Sequence, residues 1–304
     1  ILDPAYDPSS IDIPEAKLLG DRQLKFLRDW GTDWTGAEMK AVLSQTIFAG
    51  GAHIHGRLDN RLHADMDSNG WPQAGRNRAL AEIRRSFSFM IAGDQHLATI
   101  FHHGIDTWND AGYSFCVPSI ANLYLRWWLP VEEGRNKLPG APDYTGEYLD
   151  GFGNHVTAYA VANPSPQENH DALTTRAAGL GIVKFNKSTR EITMECWPRN
   201  TDVMGPDENQ YLGWPMTIQQ TDNYGKKAHA YLPEIVVENQ ADPVIQVVDE
   251  SNGEIVYTIR INGDRFTPKI FKDGTYTVNI GEGDKRHQVK NVAPLEPGDN
   301  TRIS

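Results

Sequence analysis

The sequence predicts an α/β domain followed by a small all-β domain. Three observations support this. Helical periodicities alternate with apolar strand-like runs over roughly the first 165 residues, a β-hairpin pattern follows at 180–197, and only short strands separated by turn residues remain after Tyr231. Alternating helices and strands are typical of layered α/β domains, whereas closely spaced strands without helices are typical of β-sandwiches.

Three helices are predicted in the α/β part. Residues 14–31 carry an apolar stripe that includes Leu24 and Leu27, and the segment "GDRQ" offers a cap for its second part. Residues 36–44 predict a second short helix that runs into a buried strand, "AVLSQTIFA". Residues 72–86 predict a third helix, opened by a proline and apolar on one side.

Strands are predicted where apolar runs are short and end at turn residues. Such runs occupy residues 87–92, 113–118 and 155–162. A hairpin follows, in which "GIVKFN" and "EITMECW" are joined by the turn "KSTR". Together with the helices, these strands predict one layered domain over residues 1–232, of which 199–232 form a connector rich in Asn, Asp, Gly and Pro.

The last part of the chain, residues 233–304, is predicted to be a β-sandwich accessory domain. Its strand-like runs are "EIVVEN", "PVIQVVDE", "EIVYTIRI", "RFTPKIF" and "TYTVNI", separated by "SNG", "NGD" and "KDG". Turn residues at this spacing connect consecutive antiparallel strands.

Composition excludes several classes of function. The net charge of −11 over 304 residues argues against nucleic acid as a partner. No apolar run approaches the roughly 20 residues that a transmembrane helix needs. The two cysteines, Cys116 and Cys196, lack metal-binding spacing and fall in strand-like runs, so we expect two buried thiols, although one disulfide also fits. The chain begins Ile1-Leu2-Asp3 without Met or a signal-like segment, so we expect it to be part of a longer or processed polypeptide.

The candidate chemistry lies where the strand at 87–92 ends. "FMIAGDQH" carries Asp94 and His96 two residues apart, which places both side chains on one side of an extended backbone. In open α/β sheets, ligands bind beyond the carboxyl ends of strands. A carboxylate and an imidazole converging there suit a transition metal. A loop-tying Asp–His hydrogen bond is the other interpretation, and the spacing alone does not separate the two.

Other histidines and acidic residues cluster in the same region. His53 and His55 have the same two-residue spacing as Asp94 and His96. Asp65, Asp67 and Asn69 offer oxygen ligands for a cation, but the preferred interpretation is an Asx turn before the helix at 72–86. His102 and His103 are interpreted as a loop pair without a role.

The order of seven segments resembles the carboxyl-terminal half of PhoD-like alkaline phosphatases, in the calcineurin-like metallophosphoesterase superfamily. The segments are "LLGDRQLKFLRDW", "AEMKAVLSQTIFA", "DMDSNGWPQAGRNRALAEI", "FMIAGDQH", "GYSFCVPSIAN", "GNHVTAYAVANP" and "ITMECWP". They span roughly residues 15–215. "GDQH" resembles the family's G-D-x-H element. The resemblance implies the second half of a four-layer αββα sandwich.

The resemblance also implies metal-dependent hydrolysis of phosphate mono- or diesters. Asp94 then corresponds to a metal ligand, and His96 to a ligand or a catalytic group facing the phosphate. Ser44 and Gln45 lie where many superfamily members place a further ligating histidine, so that ligand is absent or replaced by His53 or His55. The metals would be divalent or trivalent ions, and the sequence does not distinguish Ca, Fe, Zn and Mn.

The family's amino-terminal half, with its aspartate-rich metal motifs, has no counterpart in the sequence. We therefore expect the complete site to need that half, from a longer polypeptide or a companion chain, and the present chain alone to be inactive. The resemblance also favours an exported protein, periplasmic or extracellular. The alternative is a non-catalytic extracellular structural or adhesive protein on a degenerate phosphoesterase scaffold, since fold does not fix function.

Overall fold

Strands outnumber helices in the computed structural model of the chain, which has a mixed α/β architecture with several sheets. The structure describes residues 1–121, 124–165, 175–238, 240–295 and 301–303. Two α-helices occur in these ranges, α1 (Asp21–Thr32) and α2 (Gln73–Arg84). Neither has the length and apolar character that crossing a membrane requires.

The first part of the chain builds a six-stranded mixed sheet and a separate two-stranded ladder. Their strands are β1 (Ala41–Thr46), β2 (Ile54–His55), β3 (Phe89–Gly93), β4 (Thr99–His103), β5 (Tyr113–Cys116), β6 (Arg126–Trp127), β7 (Gly146–Leu149) and β8 (His155–Val161). The large sheet has the order β1-β3-β5-β4-β8-β7, and β2 pairs with β6.

Strand direction in the large sheet determines which strand ends meet at one edge. β1, β3 and β5 are parallel, whereas β4, β8 and β7 join by antiparallel pairing. The carboxyl ends of the three parallel strands therefore meet at one edge. Loops leaving these ends bring together residues that are far apart in the sequence.

The large sheet is covered on both faces. Alternate residues of β3 divide between the two sides, with Met90 packing beside the α2 residues Leu80 and Ile83. Phe89 packs on the other side with Met194 and Cys196. The latter two belong to an antiparallel sheet of β9 (Gly179–Phe185), β10 (Glu191–Pro198) and β11 (Met216–Gln219). The described layers are thus helices, six-stranded sheet and three-stranded sheet.

Both cysteines are buried and free, as expected for structural thiols.

The predicted helix at 14–31 is shorter than expected. α1 begins after Gly20, whose backbone N–H donates to the side-chain oxygen of Gln23 at 2.9 Å. This bond satisfies an amide at the helix start, so the cap signal in "GDRQ" marks the true beginning. Residues 14–20 are not helical, yet Leu18 and Leu19 pack against the same cluster as α1.

The predicted helix at 36–44 is wrong, because residues 41–46 form strand β1. Gly36 has φ of 69°, outside the right-handed helical region. The buried Lys40 ammonium donates to the carbonyls of Trp30 and Asp33, which fixes the turn after α1. Val42 then pairs with Met90 in the parallel ladder with β3. Tertiary pairing overrides the local helical pattern here.

The third helix, the three strands and the hairpin predicted in this part are confirmed, whereas the predicted connector at 199–232 contributes strand β11 to the sheet of β9 and β10. Helix α2 follows Pro72 and buries Ala79, Leu80 and Ile83, as its periodicity indicates. The runs at 87–92, 113–118 and 155–162 correspond to β3, β5 and β8. The hairpin pairs β9 with β10, with Ile192 opposite Phe185.

The carboxyl-terminal part forms a group of small sheets, here called the β-unit (strands β12–β20). In chain order they are β12 (Ala230–Tyr231), β13 (Glu234–Val236), β14 (Val244–Asp249), β15 (Ile255–Arg260), β16 (Arg265–Phe266), β17 (Lys269–Ile270), β18 (Tyr276–Ile280), β19 (His287–Val292) and β20 (Arg302–Ile303). Its largest sheet has the antiparallel order β15-β14-β18-β19.

The β-unit is packed firmly onto the α/β part. Phe87, from the turn after α2, lies in the core of the β-unit at 5.3 Å from the ring of Tyr257. The Arg260 guanidinium donates to the carbonyls of Trp34 and Ala37 at 2.9 and 2.6 Å. An aromatic anchor and charge-assisted hydrogen bonds therefore hold the two parts together.

The interpretation of His102 and His103 as a loop pair is wrong, since both lie in β4 and are buried. The Nε2–H of His102 donates to the Ala111 carbonyl at 3.0 Å. His103 accepts at Nδ1 from the fully buried Arg76 and donates from Nε2 to the Ser114 hydroxyl. Burial lowers the pKa of His102 to about 4, and burial beside the Arg76 guanidinium lowers that of His103 well below its usual range. Both imidazoles are neutral parts of the core.

We expect the free energy of unfolding to decrease as pH falls from 7 to 5. The unfolded chain takes up protons below the ordinary value of 6.5, whereas His102 in the folded chain does not until about pH 4. The contribution of each such histidine to the free energy of unfolding is therefore fully present above pH 6.5. It is lost on acidification, by about 2 kcal/mol at pH 5. Urea denaturation at several pH values measures this slope. His102→Gln should reduce it, while the exposed control His287→Gln should not, and equal slopes in both variants would contradict the account.

Candidate functional site

Asp94 and His96 lie in a strained turn at the carboxyl end of β3. Their φ angles are 64° and 55°, in the left-handed region that non-glycine residues rarely adopt. The Gln95 N–H donates to the Gly93 carbonyl at 2.7 Å, which closes the turn. The Cys116 thiol, at the end of β5, also donates to the Gly93 carbonyl, at 3.4 Å. Two left-handed side-chain-bearing residues in one turn are typical of functional sites.

The Asp94 carboxylate faces solvent and is oriented by Thr46. The Thr46 hydroxyl donates to Oδ2 of Asp94 at 2.9 Å, and Asp94 is exposed. Oδ1 accepts no hydrogen bond from the part of the chain that the structure describes. Thr46 reaches this position through an irregularity in the β1–β3 ladder between Ser44 and Thr46. Asp94 thus presents a fixed carboxylate with a free oxygen.

The His96 imidazole is half-buried near that carboxylate, but no ion pair or hydrogen bond joins the two side chains. Its Nδ1 is buried and has no hydrogen-bond partner among the described residues. The ring of Tyr124 contacts it edge to face, with centroids 6.3 Å apart. Burial, and then the nearby Arg126 guanidinium, lower the pKa of His96, and the Asp94 charge only partly opposes this. The ring is therefore neutral near pH 7 and carries an unused nitrogen lone pair.

A second polar group, centred on Arg126, adjoins His96. The Arg126 Nη1 donates to Oδ2 of Asp65 at 3.1 Å, and its Nη2 lies 3.8 Å from the Asp67 carboxylate. His55 places Nε2 3.6 Å from the same oxygen of Asp65. The pKa of His55 is lowered, mainly by burial, with the Asp65 charge opposing. The other oxygen of Asp65 accepts the Asp67 N–H at 3.0 Å, which is the predicted Asx turn.

His53 has different surroundings from His55, although the two are spaced alike. The His53 ring stacks on Trp128 with centroids 4.2 Å apart, and it lines a separate cleft with Arg61 and His63. β2 is only two residues long, and the chain turns at Gly56, which has φ of 72°. The structure therefore groups Asp94 with His96, sets His55 in the Arg126 cluster, and places His53 in the cleft.

Gln45, in the position where the resemblance implies a histidine, is exposed on β1.

Sequence reasoning missed two residues that the structure places in the site, Thr46 and Arg126. Thr46 ends the strand predicted in "AVLSQTIFA", but the sequence did not indicate that this strand pairs with the strand that carries Asp94. Arg126 pairs through β6 with the short β2, and no sequence periodicity announces a two-residue ladder.

The residues present fit only part of a metal site. Within the described ranges, no group of three or more His, Cys, Asp or Glu side chains is arranged to hold a metal ion. Asp94 and His96 offer one oxygen and one nitrogen donor, a combination that transition metals accept. Tight binding of a metal ion here would need more ligands than these two.

We expect Asp94→Gly to be more stable than Asp94→Ala by about 1 kcal/mol, because only glycine adopts a φ near 64° without strain. Both variants lose the Thr46 hydrogen bond, so that loss cancels. Urea denaturation measures the difference. Asp59, in an exposed turn without a left-handed backbone, is the control, and there the alanine variant should equal or exceed the glycine variant in stability. Equal stability of the two Asp94 variants would contradict the claim that the backbone at position 94 is strained.

No protein-family model, no curated protein and no solved structure matches this chain. The family resemblance therefore depends on the ordered motifs alone.

Proposed function

We propose that the chain supplies one wall of a metal-dependent phosphoesterase site, of the kind found in PhoD-like alkaline phosphatases. The observation that carries the proposal is the strained turn at the end of β3. It holds an exposed carboxylate and a neutral imidazole in one turn, at the edge where parallel strands end. A protein retains such strain where the geometry serves binding or catalysis. The substrate class is phosphate mono- or diesters.

Each residue of the turn has a distinct role in this proposal. Asp94 is a metal ligand, and the Thr46 hydroxyl fixes its orientation by occupying Oδ2. His96 is a second ligand through a ring nitrogen. A protonated imidazole would be needed to assist the leaving group, and the lowered pKa of His96 favours the ligand role instead. A bound metal ion would polarise the phosphoryl oxygen and lower the pKa of a bound water.

The remaining ligands are proposed to come from a companion amino-terminal half, in the same polypeptide or a second chain. β1 is an edge strand of the described sheet, so its outer backbone groups are free to pair. Leu43 on this strand is 80% exposed, an unusual state for a leucine beside a functional edge. The described layers number three, and the companion half would supply the fourth layer of an αββα sandwich.

A non-catalytic structural or adhesive role on the same scaffold is the second candidate. The observation that favours it is the small number of ligands, since the described residues contain no group of three potential metal donors. The firm attachment of the β-unit through Phe87 and Arg260 suits such a role equally well. In both cases we propose an exported protein, in keeping with the family resembled.

The test is metal content and phosphatase activity of a polypeptide that extends this chain at its amino terminus. Metal measured by mass spectrometry and hydrolysis of p-nitrophenyl phosphate should both be present in the extended protein and absent from residues 1–304 alone. Asp94→Asn should lower the activity by at least about a hundredfold, because it removes a ligand charge without changing shape.

The matched control is Asp59→Asn, an exposed aspartate paired with Arg57, which should keep full activity. Full activity and metal content in Asp94→Asn would refute the assignment of the site. Activity of residues 1–304 alone would refute the companion half while leaving the phosphoesterase assignment in place. An inactive, metal-free extended protein would favour the non-catalytic candidate.

A further inference from the structure

A cleft lies behind the hairpin that carries His53 and His55, away from the Asp94 turn. Its volume is about 400 Å³, within the range of pockets that bind small organic molecules. His53, Arg61 and His63 line one side, and Pro130, Val131 and Leu149 are among the apolar residues that line it. An antiparallel β-bridge pairs Arg61 with Ile54 of β2. His53, Arg61 and His63 therefore lie on one hairpin.

Two acidic residues, Asp150 and Glu132, line the cleft, but among the described residues neither forms an ion pair with its basic side. Among the described residues, no carboxylate pairs with the Arg61 guanidinium, although the chain carries a net charge of −11. Asp150 lines the cleft, but its carboxylate accepts the N–H groups of Gly50, Phe152 and Asn154 and the Asn154 side-chain amide. Glu132, the other acidic residue of the lining, is exposed.

His53 adds a fixed polar group to this side. Stacking on Trp128 holds its ring, and its Nδ1 is buried without a hydrogen-bond partner among the described residues. Burial, and then the nearby Arg61 charge, lower the pKa of His53 to about 3. The ring is thus a neutral group that contributes one N–H donor.

The apolar side of the cleft is unusually exposed. Val131 is 86% exposed and Leu149 57% exposed, and Tyr148 adds an aromatic ring to the lining. Adjacent exposed apolar side chains on a soluble surface mark binding surfaces more often than isolated ones do. Water is displaced from such a surface when an apolar ligand covers it.

We propose that this cleft binds a small organic anion with an apolar, preferably aromatic, body. The anionic group lies against Arg61 and the two histidines, and the apolar body covers Val131 and Leu149. The inference goes beyond the proposed phosphoesterase function and does not depend on it, because the groups that contact Asp94 and His96 do not line the cleft.

The test uses two fluorescent probes of nearly the same shape, 8-anilinonaphthalene-1-sulfonate and its uncharged relative N-phenyl-1-naphthylamine. The folded chain should bind the sulfonate at one saturable site. Arg61→Gln should weaken binding of the sulfonate by about tenfold, as expected for loss of a charged hydrogen-bond partner, and should leave binding of the uncharged probe unchanged. Val131→Asp should weaken binding of both probes.

The matched controls are Arg57→Gln, an exposed arginine on the same hairpin, and Leu212→Asp, an exposed leucine outside the cleft lining. Both controls should bind both probes like the unmodified chain. All four positions are exposed, so folding should be retained, and circular dichroism verifies it. Non-saturable binding, equal effects of Arg61→Gln on the two probes, or effects of the controls equal to those of the cleft variants would overturn the proposal.

Discussion

The parallel pairing of β1 with β3 is the constraint on which the candidate site depends. It sets Ser44 opposite Ala92 and brings the end of β1 beside the turn that follows β3. The irregularity after Ser44 then aligns the Thr46 hydroxyl with the Asp94 carboxylate. Without this register, Asp94 would lie at the end of a strand with no group to orient it. The left-handed turn is tolerated because β3, the strand beneath it, is paired on both sides, with β1 and β5.

Arg126 sets the charge around the candidate site. Arg126 reaches the region from β6, where it neutralises Asp65 and keeps positive charge near His96. His96 therefore stays neutral beside an exposed carboxylate. A neutral imidazole and an ionised carboxylate are the protonation states in which these side chains bind metal ions. In the proposed function, this arrangement is half of a metal site whose other half would approach from the edge of the sheet at β1.

Sequence reasoning located the elements whose local pattern agrees with their packing. Helix α2, strand β3 and the β9–β10 hairpin show regular periodicity and clear caps or turns, and each formed where predicted. The helix predicted at 36–44 does not form, because pairing with β3 and the hydrogen bonds of the buried Lys40 ammonium outweigh the local helical pattern. The loop predicted for His102 and His103 was wrong. Both lie in β4, where Arg76 and Ser114 supply hydrogen-bond partners for the buried His103 ring.

For the candidate site, the sequence indicated Asp94 and His96 but not their partners. Thr46 and Arg126 are 48 and 30 residues away from Asp94 and His96 along the chain, and only the sheet register and the β2–β6 ladder bring them close. Two equally spaced histidines, His53 and His55, face different surroundings, because β2 begins only at Ile54 and His53 lies outside it. Spacing predicts a shared face only where a strand continues.

Paramagnetic broadening of amide NMR signals by Mn²⁺ tests the central claim most directly, since it detects even weak binding at a partial site. At the lowest Mn²⁺ concentrations, signals of Thr46, Asp94, Gln95 and His96 should lose intensity first, and Asp94→Asn should abolish this effect. If broadening instead began at exposed carboxylates such as Asp59 or Asp143, or persisted unchanged in Asp94→Asn, the turn after β3 would not be one wall of a metal site.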